Sequence, residues 1–531
     1  MADIFDAYPM SAAWDEMFVR PGVPRSPYRS VFATLQPLAG ADLRYRADQL
    51  ARVFTDRGVT FAYAGEERPF PLDLVPRIID AYEWDLLTRA VRQRVRTLEA
   101  FLADLYGPAN VLKDGLVPRR VIATSAHFHR QAYGINPPNG VRVQVSGVDL
   151  VRDELGRFRV LEDNLRIPSG VSYVIENRRA MTQTLPVLFA EAPVYPVDDY
   201  PARLLAALRK AAPDGAPDPC VVVLTPGVYN AAYFEHALLA RLMGVELVEG
   251  RDLRCHGNRV FMRTTHGEQP VHVVYRRIDD EFIDPLHFRP DSVIGAPGIV
   301  NAARAGNVTL ANAIGNGVAD DKLIYTYVPD LVRYYLHEEP LIDNVETYRL
   351  DDSDVLHDVL DRLDELVLKP VEGSGGKGIV IGPHADEKTL RTLRCAVEAD
   401  PRGWIAQRPV LLSTSPTLVG DRVAPRHIDL RPFAVNDGDD VWLLPGGLTR
   451  VALPEGALVV NSSQGGGSKD TWVLAEALTP TAPPTPTAPP TPIPPAPALS
   501  VPDHRDLGPG GAALAAQQQQ QQQALATVDA C

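Results

Sequence analysis

The sequence predicts a mixed α/β (α+β) fold of several domains, followed by a disordered C-terminal tail. A buried strand at residues 220–225, a helix at Tyr233–Met243 and a second strand at 245–248 form a βαβ unit, which implies a small doubly wound domain. Alternating apolar residues on both sides of a turn at 153–156 indicate an antiparallel hairpin. From about residue 479 the chain consists of Pro, Thr and Ala repeats and a glutamine run, which cannot bury enough apolar surface to fold.

Length and composition describe an ordinary globular protein. With 531 residues the chain is too long for one hydrophobic core and should divide into about three or four domains. Its apolar fraction of 45% and charged fraction of 23% are unremarkable values for such proteins. The four cysteines show no C-x-x-C pair and are widely separated, so they suggest neither a zinc site nor a disulfide framework.

Charge and hydropathy exclude two classes of partner. A net charge of −14 argues against sequence-independent binding of nucleic acid, which requires cations that neutralise phosphates. The N-terminus lacks the basic start and apolar core of a signal peptide, and no apolar run is long enough to cross a bilayer. We therefore expect a cytoplasmic protein with no nucleic-acid or membrane partner.

In chain order, a helix at residues 84–105 comes first and should bury one apolar face. The hairpin at 141–164 follows. With a turn of two or four residues, Arg152 would face Arg157 and Asp149 would face Val160. Asp149, Glu162 and Asn164 would then project from one face, because side chains alternate along a strand. A turn of odd length would move Asp149 to the other face.

These three side chains form a candidate metal site. Carboxylate and amide oxygens suit Mg²⁺, a hard cation that keeps phosphates and waters in its other positions. Arg166 follows in the loop at residues 165–170 and lies beside the proposed metal, where we interpret it as a catalytic residue. A solvated polar face of an antiparallel sheet is the alternative interpretation.

The βαβ unit comes after helices at residues 174–185 and 202–211, and a further strand is expected at 271–275. This strand runs into Arg276, Arg277, Asp279 and Asp280, at the place where open α/β sheets bind ligands. The segment either orients a substrate or forms a structural cluster of salt bridges. We expect a tightly packed helix and loop at residues 302–316, and helices with connections at 330–364.

Residues 366–381 read as strand, glycine-rich loop and strand. Glycines lack the Cβ atom that keeps a backbone away from a ligand, so exposed N–H groups can face phosphate oxygens. Flanking lysines add positive charge. The predicted cover over the phosphates of a nucleotide consists of Lys369, Gly373, Ser374, Gly375, Gly376, Lys377 and Gly378.

Two familiar phosphate motifs do not apply to this loop. The dinucleotide fingerprint G-x-G-x-x-G requires a helix after the loop, whereas a strand follows here. The P-loop requires Lys and then Ser or Thr after its last glycine, whereas this loop has Ile379. Protein kinases and ATP-grasp enzymes use a glycine flap between strands. An ordinary glycine hairpin remains the alternative.

Downstream of the loop, a helix is expected at residues 387–398 and a strand at 404–410. Gln407, Arg408 and Val410 are candidates for a hinge that borders adenine; an ordinary core strand is the alternative. A hairpin at residues 427–444 and the glycine-rich segments after it carry Arg431 and Arg450, which fit the stabilisation of charge in phosphoryl transfer. Lys469, which follows them, is a candidate for capping a loop.

The combination resembles the circularly permuted ATP-grasp proteins related to glutathionylspermidine synthetase. Val-Leu-Glu-Asp-Asn, ending at Asn164, precedes Arg-x-Pro-Ser-Gly, a βαβ unit follows, and Leu-Lys-Pro around Lys369 leads to Gly-Ser-Gly-Gly-Lys-Gly. Ordinary ATP-grasp enzymes carry the glycine-loop half before the metal half, so the order here is permuted. The resemblance covers roughly residues 15–475 and is specific only in combination.

The resemblance implies a division into domains. The metal-binding half would occupy residues 1–190, an inserted Rossmann-like pre-ATP-grasp domain 191–330, the glycine-loop and hinge half 331–478, and the disordered tail 479–531.

The resemblance also implies an activity that uses ATP and Mg²⁺. Lys369 and Lys377 would hold ATP phosphates, and Glu162, Asn164 and Asp149 would bind Mg²⁺. A small-molecule or peptide carboxylate would be activated as an acyl phosphate, and an amine would attack it to give an amide, ADP and phosphate. The chain shows no obvious amidase domain and no identifiable general base. A kinase, or a nucleotide-binding scaffold whose tail recruits other proteins, are the alternative hypotheses.

Overall fold

The computed structural model describes residues 4–6, 8–63, 66–190, 192–372, 378–457, 460, 466–475, 517 and 520. The helices within these residues are α1 Arg29–Leu35, α2 Gly40–Asp56, α3 Ala81–Leu105, α4 Asn110–Lys113, α5 Arg119–Ala123, α6 Val171–Thr184, α7 Pro186–Ala190, α8 Tyr200–Lys210, α9 Tyr233–Met243, α10 Asp280–Ile283, α11 Ile299–Arg304, α12 Lys322–Leu336, α13 Ser353–Asp361 and α14 Glu387–Ala399. The strands are β1 Phe18–Arg20, β2 Val23–Pro24, β3 Thr60–Tyr63, β4 Glu66–Pro69, β5 Leu72–Ile79, β6 Val145–Arg152, β7 Phe158–Asn164, β8 Val221–Leu224, β9 Glu246–Val248, β10 Leu253–His256, β11 Arg259–Thr264, β12 Gly267–Val271, β13 Val273–Arg276, β14 Thr309–Ala311, β15 Thr347–Arg349, β16 Val367–Pro370, β17 Val380–Ile381, β18 Trp404–Gln407, β19 Thr414–Val419, β20 Arg422–His427, β21 Phe433–Asn436, β22 Val441–Leu443, β23 Thr449–Val451 and β24 Gly467–Val473.

The predicted metal hairpin, β6 and β7, belongs to a four-stranded sheet of order β22-β21-β6-β7. β21 pairs antiparallel with both β6 and β22. The hairpin predicted at residues 427–444 is therefore confirmed, and it joins the metal hairpin in one sheet. The long helix α3 packs beside this sheet, and its buried side chains share one core with Val148 and Leu150 of β6. The apolar period of α3 predicted this burial correctly.

The metal hairpin places Asp149 and Glu162 on one face, as predicted, but its residues pair in a different register. Its turn has five residues, and Arg152 pairs with Phe158 rather than with Arg157, so the predicted register is wrong. Asp153 holds this turn by accepting hydrogen bonds from the backbone N–H groups of Leu155 and Arg157. A bulge then shifts the register so that Asp149 lies directly opposite Glu162. The odd turn and the one-residue bulge cancel, which returns Asp149 to the face of Glu162.

The predicted βαβ unit forms a parallel sheet of order β14-β13-β8-β9. β8 and β9 are parallel neighbours joined by α9, as predicted. β13 and β14 extend the sheet on the other side of β8. The prediction of only a helix and loop at residues 302–316 missed β14, a strand of three residues that is too short to show a period.

The glycine-loop region forms a separate sheet of order β15-β18-β16-β17. Leu368 of β16 pairs antiparallel with Val380 of β17, which confirms the two predicted strands on either side of the loop. This sheet and α13 and α14 enclose a small core of their own, which includes Val359, Leu393 and Ala406.

A three-stranded sheet, β23-β24-β5, joins the last described strand to an early one, because β24 pairs in parallel with β5. The predicted disorder from residue 479 onward lies outside the described residues, except at Gln517 and Gln520. The amide of Gln520 pairs with backbone atoms of Asp291 and Val293. Among the described residues, no helix is long and apolar enough to cross a membrane.

Candidate functional site

The metal hairpin and the glycine-loop sheet meet along the edge of β7. The backbone N–H of Val160 donates to the carbonyl of Asp343, and that of Val345 donates to Val160, both at 2.9 Å. The segment containing Asp343 and Val345 therefore extends the edge of β7 and then continues into β15 of the other sheet. The Tyr325 hydroxyl also donates to the Val160 carbonyl at 2.6 Å. Segments distant in sequence thus meet two residues before Glu162.

Glu162 is half-buried and lies among charges from both sheets. Burial and the neighbouring Asp149 carboxylate raise the pKa of Glu162, while Lys322, Arg431 and Lys369 act to lower it. Lys369 of the glycine-loop sheet is therefore within electrostatic range of the metal hairpin. A site that holds ATP through one segment and Mg²⁺ through the other, as the resemblance implies, requires this proximity.

Lys369 and Lys322 form a cationic pair beside Glu162. Burial lowers the pKa of Lys369 to about 8; Glu162 opposes this shift, and the Lys322 ammonium adds to it. Placing two ammonium groups together is unfavourable unless a polyanion binds between them. Lys322 is also the first residue of α12, where the helix dipole favours negative charge. The site can therefore attract phosphate groups.

Lys322 was missed by the sequence analysis. It follows two aspartates at the start of a helix and belongs to no glycine motif. Only the fold brings it to Lys369, so no spacing in the sequence indicates it.

Asn164 completes the half-buried polar face of β7. Its side-chain amide nitrogen is buried and has no hydrogen-bond partner among the described residues. Buried polar groups are almost always satisfied, so this donor suits an acceptor such as a phosphate oxygen, whereas only the amide oxygen could bind a cation. A divalent cation would take the amide oxygen together with Glu162, and would relieve the repulsion between Glu162 and Asp149. The donor set therefore fits Mg²⁺.

Asp149 is fully buried beneath Glu162. It accepts hydrogen bonds from Nε and Nη2 of Arg431, at 2.5 and 2.8 Å, and from Nη2 of Arg450 at 2.6 Å. Burial alone would raise its pKa, but the two guanidinium groups outweigh burial and lower the pKa to about 2. A carboxylate has about four lone-pair positions, so these three bonds still leave room for a metal. Its role as a third ligand stays a prediction.

The two predicted catalytic arginines are held in a closed network. Arg450 also pairs with Asp429, and Nη1 of Arg431 donates to the carbonyl of Ser169 at 3.3 Å. Two arginines and two aspartates balance each other, which allows all four to be buried. Lys469 is fully buried as well, and donates to Asp73 and to the carbonyls of Val75 and Pro416.

The third predicted catalytic residue, Arg166, lies two positions after Asn164 and is buried. Its guanidinium group contacts Asp279 at 3.2 Å and Asp320 at 3.7 Å. Burial raises the pKa of Asp320 to about 7, although Arg166 opposes that shift. Arg166 thus connects β7, which we call the metal strand, to the small parallel sheet.

The predicted phosphate loop is described only at its ends. Gly373, Ser374, Gly375, Gly376 and Lys377 lie outside the described residues. Gly378 has a φ of +75°, and a Cβ atom there would come within 2.8 Å of Cγ of Pro370. A glycine is therefore required where the loop rejoins the sheet.

The predicted hinge lies at the junction of the two sheets. Gln407 is buried and donates to the Thr347 hydroxyl at 2.9 Å, while the exposed Arg408 donates its backbone N–H to Glu346. Val410 packs in an apolar cluster with Leu161 of the metal strand. An apolar surface at this position suits an adenine ring. The role of these residues as a hinge that borders adenine stays a prediction.

The charged segment after β13 points into the protein. Arg276 donates to the carbonyls of Asn312 and Ala313 and pairs with Asp280, and Arg277 pairs with Glu235. Both arginines are at most 1% exposed. The structure favours a structural cluster over contact with substrate.

Comparison with known proteins gives matches over most of this chain. A family model described as "Circularly permuted ATP-grasp type 2" matches residues 76–452. An uncharacterized protein of Mycobacterium tuberculosis is 62% identical over 470 residues, which are 88% of this chain and 85% of that protein. An uncharacterized protein of Synechocystis is 50% identical over 87% of this chain and 97% of its own length.

Two further similarities involve named proteins. "Putative glutamate--cysteine ligase 2-2" of Frankia casuarinae is 47% identical over 87% of this chain, but the match spans only 53% of that protein. The solved structure of a glutathione synthetase like-effector from Globodera pallida aligns with a TM-score of 0.55 at 11% identity. It covers 82% of this chain and 98% of that one, and at this identity it supports the fold alone.

Proposed function

The chain belongs to the circularly permuted ATP-grasp type 2 family, and on that premise we propose that it is an ATP- and Mg²⁺-dependent carboxylate–amine ligase. One observation carries the proposal. Asp149 lies directly opposite Glu162 in the metal hairpin, and two lysines from other elements, Lys322 and Lys369, act electrostatically on Glu162 and lower its pKa. Cations for a triphosphate and oxygens for a divalent metal thus lie side by side, as phosphoryl transfer requires.

Each part of the site has a task in this proposal. Lys322, Lys369 and the glycine loop, residues 373–378, hold the phosphates, while Gln407, Arg408 and Val410 border adenine. Glu162, Asn164 and Asp149 hold Mg²⁺, which when bound would neutralise charge on the phosphate oxygens. Arg431 and Arg450 fix the position of Asp149 through their hydrogen bonds.

The reaction proceeds in two transfers. A carboxylate oxygen attacks the γ-phosphorus of ATP, the bond to the bridging oxygen breaks, and ADP leaves with that electron pair. An amine then attacks the acyl carbon, the C–O bond to phosphate breaks, and the amine loses one proton. The products are an amide, ADP and phosphate.

The name of one relative suggests a class of substrates. The Frankia protein carries a name that refers to the ligation of glutamate and cysteine. Since this chain spans about half of the Frankia protein, the activity in that name belongs to a longer protein. We propose small-molecule or peptide carboxylates and amines as the substrates.

A hydroxylamine assay tests the function without knowledge of the natural amine. Purified protein, ATP, Mg²⁺ and a pool of amino acids are incubated with hydroxylamine, which traps an acyl phosphate as a hydroxamate. We expect ADP and hydroxamate in equal amounts, and a loss of at least about 100-fold in Lys369→Ala and Glu162→Ala, because each removes charge that acts in the transition state. Lys388→Ala, which changes an exposed lysine on α14, should retain full activity.

The products separate this function from its alternatives. A phosphorylated product that hydroxylamine does not consume would indicate a kinase. ATP binding without ADP release in any pool would indicate a scaffold. Full turnover in both Lys369→Ala and Glu162→Ala would refute the roles assigned to these residues.

A further inference from the structure

The loop after the metal strand, residues 165–170, reaches the carboxyl end of the small parallel sheet. In open α/β sheets ligands bind at this end, where the order of strands reverses. Here β8 continues to β9 on one side, and β13 lies on its other side, so the reversal falls between β8 and β13. Arg277 follows β13 directly, and its Nη1 donates to the carbonyl of Pro168 at 2.8 Å. The position that usually holds a ligand holds a loop of this chain.

Glu235 of α9 fixes the end of the same loop. Its Oε2 atom accepts hydrogen bonds from the backbone N–H of Gly170 at 2.7 Å, from that of Ser172 at 3.1 Å, and from the Ser172 hydroxyl at 2.9 Å. Its Oε1 atom accepts from Nη2 of Arg277 at 2.9 Å. Glu235 and Arg277 are both 1% exposed. Both carboxylate oxygens are therefore used, one for the loop and one for the arginine.

Side chains from other elements hold the beginning of the loop. The Asn312 amide donates to the carbonyl of Leu165 at 2.8 Å, and the N–H of Leu165 donates to Asp320 at 2.7 Å. Gly170 adopts a φ of +111°, and a Cβ atom there would lie 2.8 Å from Cδ2 of Leu448. The backbone of the loop is thus bonded to fixed groups at both ends and has little freedom to shift.

We propose that the small parallel-sheet domain positions the metal strand, with Glu235 and Arg277 as positioning residues for Asn164 and Arg166. This inference rests on the proposed function, because it takes Asn164 as a ligand of Mg²⁺. Asn164 is the last residue of β7, so its orientation depends on the path of the loop that follows. Groups that orient a metal ligand without touching the metal typically change metal affinity by 10- to 100-fold when they are lost.

The variant Glu235→Gln tests the proposal sharply. A glutamine keeps the size of the side chain but has one acceptor oxygen and one donor nitrogen. It therefore leaves either Arg277 or the loop facing a donor instead of an acceptor. In the full-length protein we expect hydrogen exchange at the amides of Gly170 and Ser172 to become at least about tenfold faster. The dissociation constant of Mn²⁺ in the presence of ATP, measured by electron paramagnetic resonance, should rise about tenfold or more.

A matched control separates positioning from general loss of stability. Arg178 lies on α6, nearly two turns after Ser172, and forms a buried pair with Asp470. Arg178→Lys should lower the melting temperature but leave Mn²⁺ affinity and exchange at Gly170 unchanged. If Glu235→Gln does not fold, Ser172→Ala replaces it as the test. This variant removes one of the three hydrogen bonds to Oε2 of Glu235, so exchange should increase less, about two- to threefold.

The outcomes distinguish this inference from the proposed function. Unchanged exchange and unchanged Mn²⁺ affinity in Glu235→Gln, or in Ser172→Ala where only that variant folds, would overturn the positioning role. Weaker Mn²⁺ binding in the variant, combined with a wild-type protein that releases no ADP, would support positioning while the ligase function fails.

Discussion

At the scale of single residues, the chemistry depends on charges that the fold forces together. Lys369 and Lys322 repel each other, and Glu162 and Asp149 repel each other, while the two pairs attract across the junction. This repulsion destabilises the protein without a ligand, and a ligand with complementary charges would offset it. By contrast, the arginines around Asp149 and Asp429 are already neutralised. The exposed edge of this network is therefore the part that recognises nucleotide and metal.

The lowered pKa of Lys369 leads to a prediction about proton uptake. At pH 8 about half of Lys369 is neutral in the free protein, because its pKa is about 8. ATP favours the charged ammonium and raises this pKa, so binding should take up protons at pH 8 and weaken as pH rises through 8. Calorimetry in buffers of different ionisation enthalpy measures this uptake.

Lys369→Arg serves as the control, because arginine stays protonated at this pH. It should bind ATP without the contribution of Lys369 to proton uptake. Equal uptake in wild type and Lys369→Arg would show that another group titrates.

At the scale of elements, compensating irregularities produce the site. The five-residue turn of the metal hairpin would place Asp149 and Glu162 on opposite faces, and the bulge restores them to one face. The end of the glycine loop, at Gly378, likewise has a backbone conformation that only glycine adopts easily. Local features that break regular pairing therefore decide which side chains meet.

Gly378→Ala should weaken ATP binding about tenfold while the protein remains folded. An alanine at a φ of +75° carries strain of about 1–2 kcal/mol, and its Cβ would push against Pro370, which directly follows Lys369. Fluorescence titration with a labelled ATP analogue measures the effect.

Gly420→Ala is the matched control, since Gly420 has a φ of +65° but open space around its Cα. It should lower stability by a similar strain and leave ATP affinity unchanged. If both variants bind ATP as tightly as wild type, the flap does not depend on the backbone at Gly378.

At the scale of the whole molecule, three sheets meet around one junction. The metal hairpin, the glycine-loop sheet and the small parallel sheet each contribute side chains, and the loop at residues 165–170 contacts the first and the third. The candidate residues within the described part of the chain lie between Asp149 and Arg450. These candidate residues all lie between β5 and β24, two strands that pair with each other.

Removal of residues 479–531 should therefore leave ADP release within about twofold of the full-length rate. The hydroxylamine assay measures both proteins at matched concentrations, and their melting temperatures show whether the shortened chain is folded. A folded but inactive protein would assign the tail a role in catalysis, and would favour the scaffold hypothesis in which the tail is essential.

The sequence by itself determined many of the elements and the chemical groups that they carry, although it missed the short strand β14. Apolar periods identified α3 and α9, the glycine-rich strand–loop–strand around residues 373–378 was recognisable, and Glu162 and Asn164 stood out because strand geometry puts alternate residues on one face. Local spacing is sufficient for such features, because they depend only on neighbours along the chain.

Only the tertiary structure decided how these pieces combine. It placed Lys322 beside Lys369, inserted the five-residue turn and the bulge that bring Asp149 opposite Glu162, and turned Arg276 and Arg277 inward instead of toward a ligand. The physical reason is that each result depends on pairing and burial between segments far apart in sequence. No single stretch of residues contains both partners of those contacts, so local spacing does not predict them.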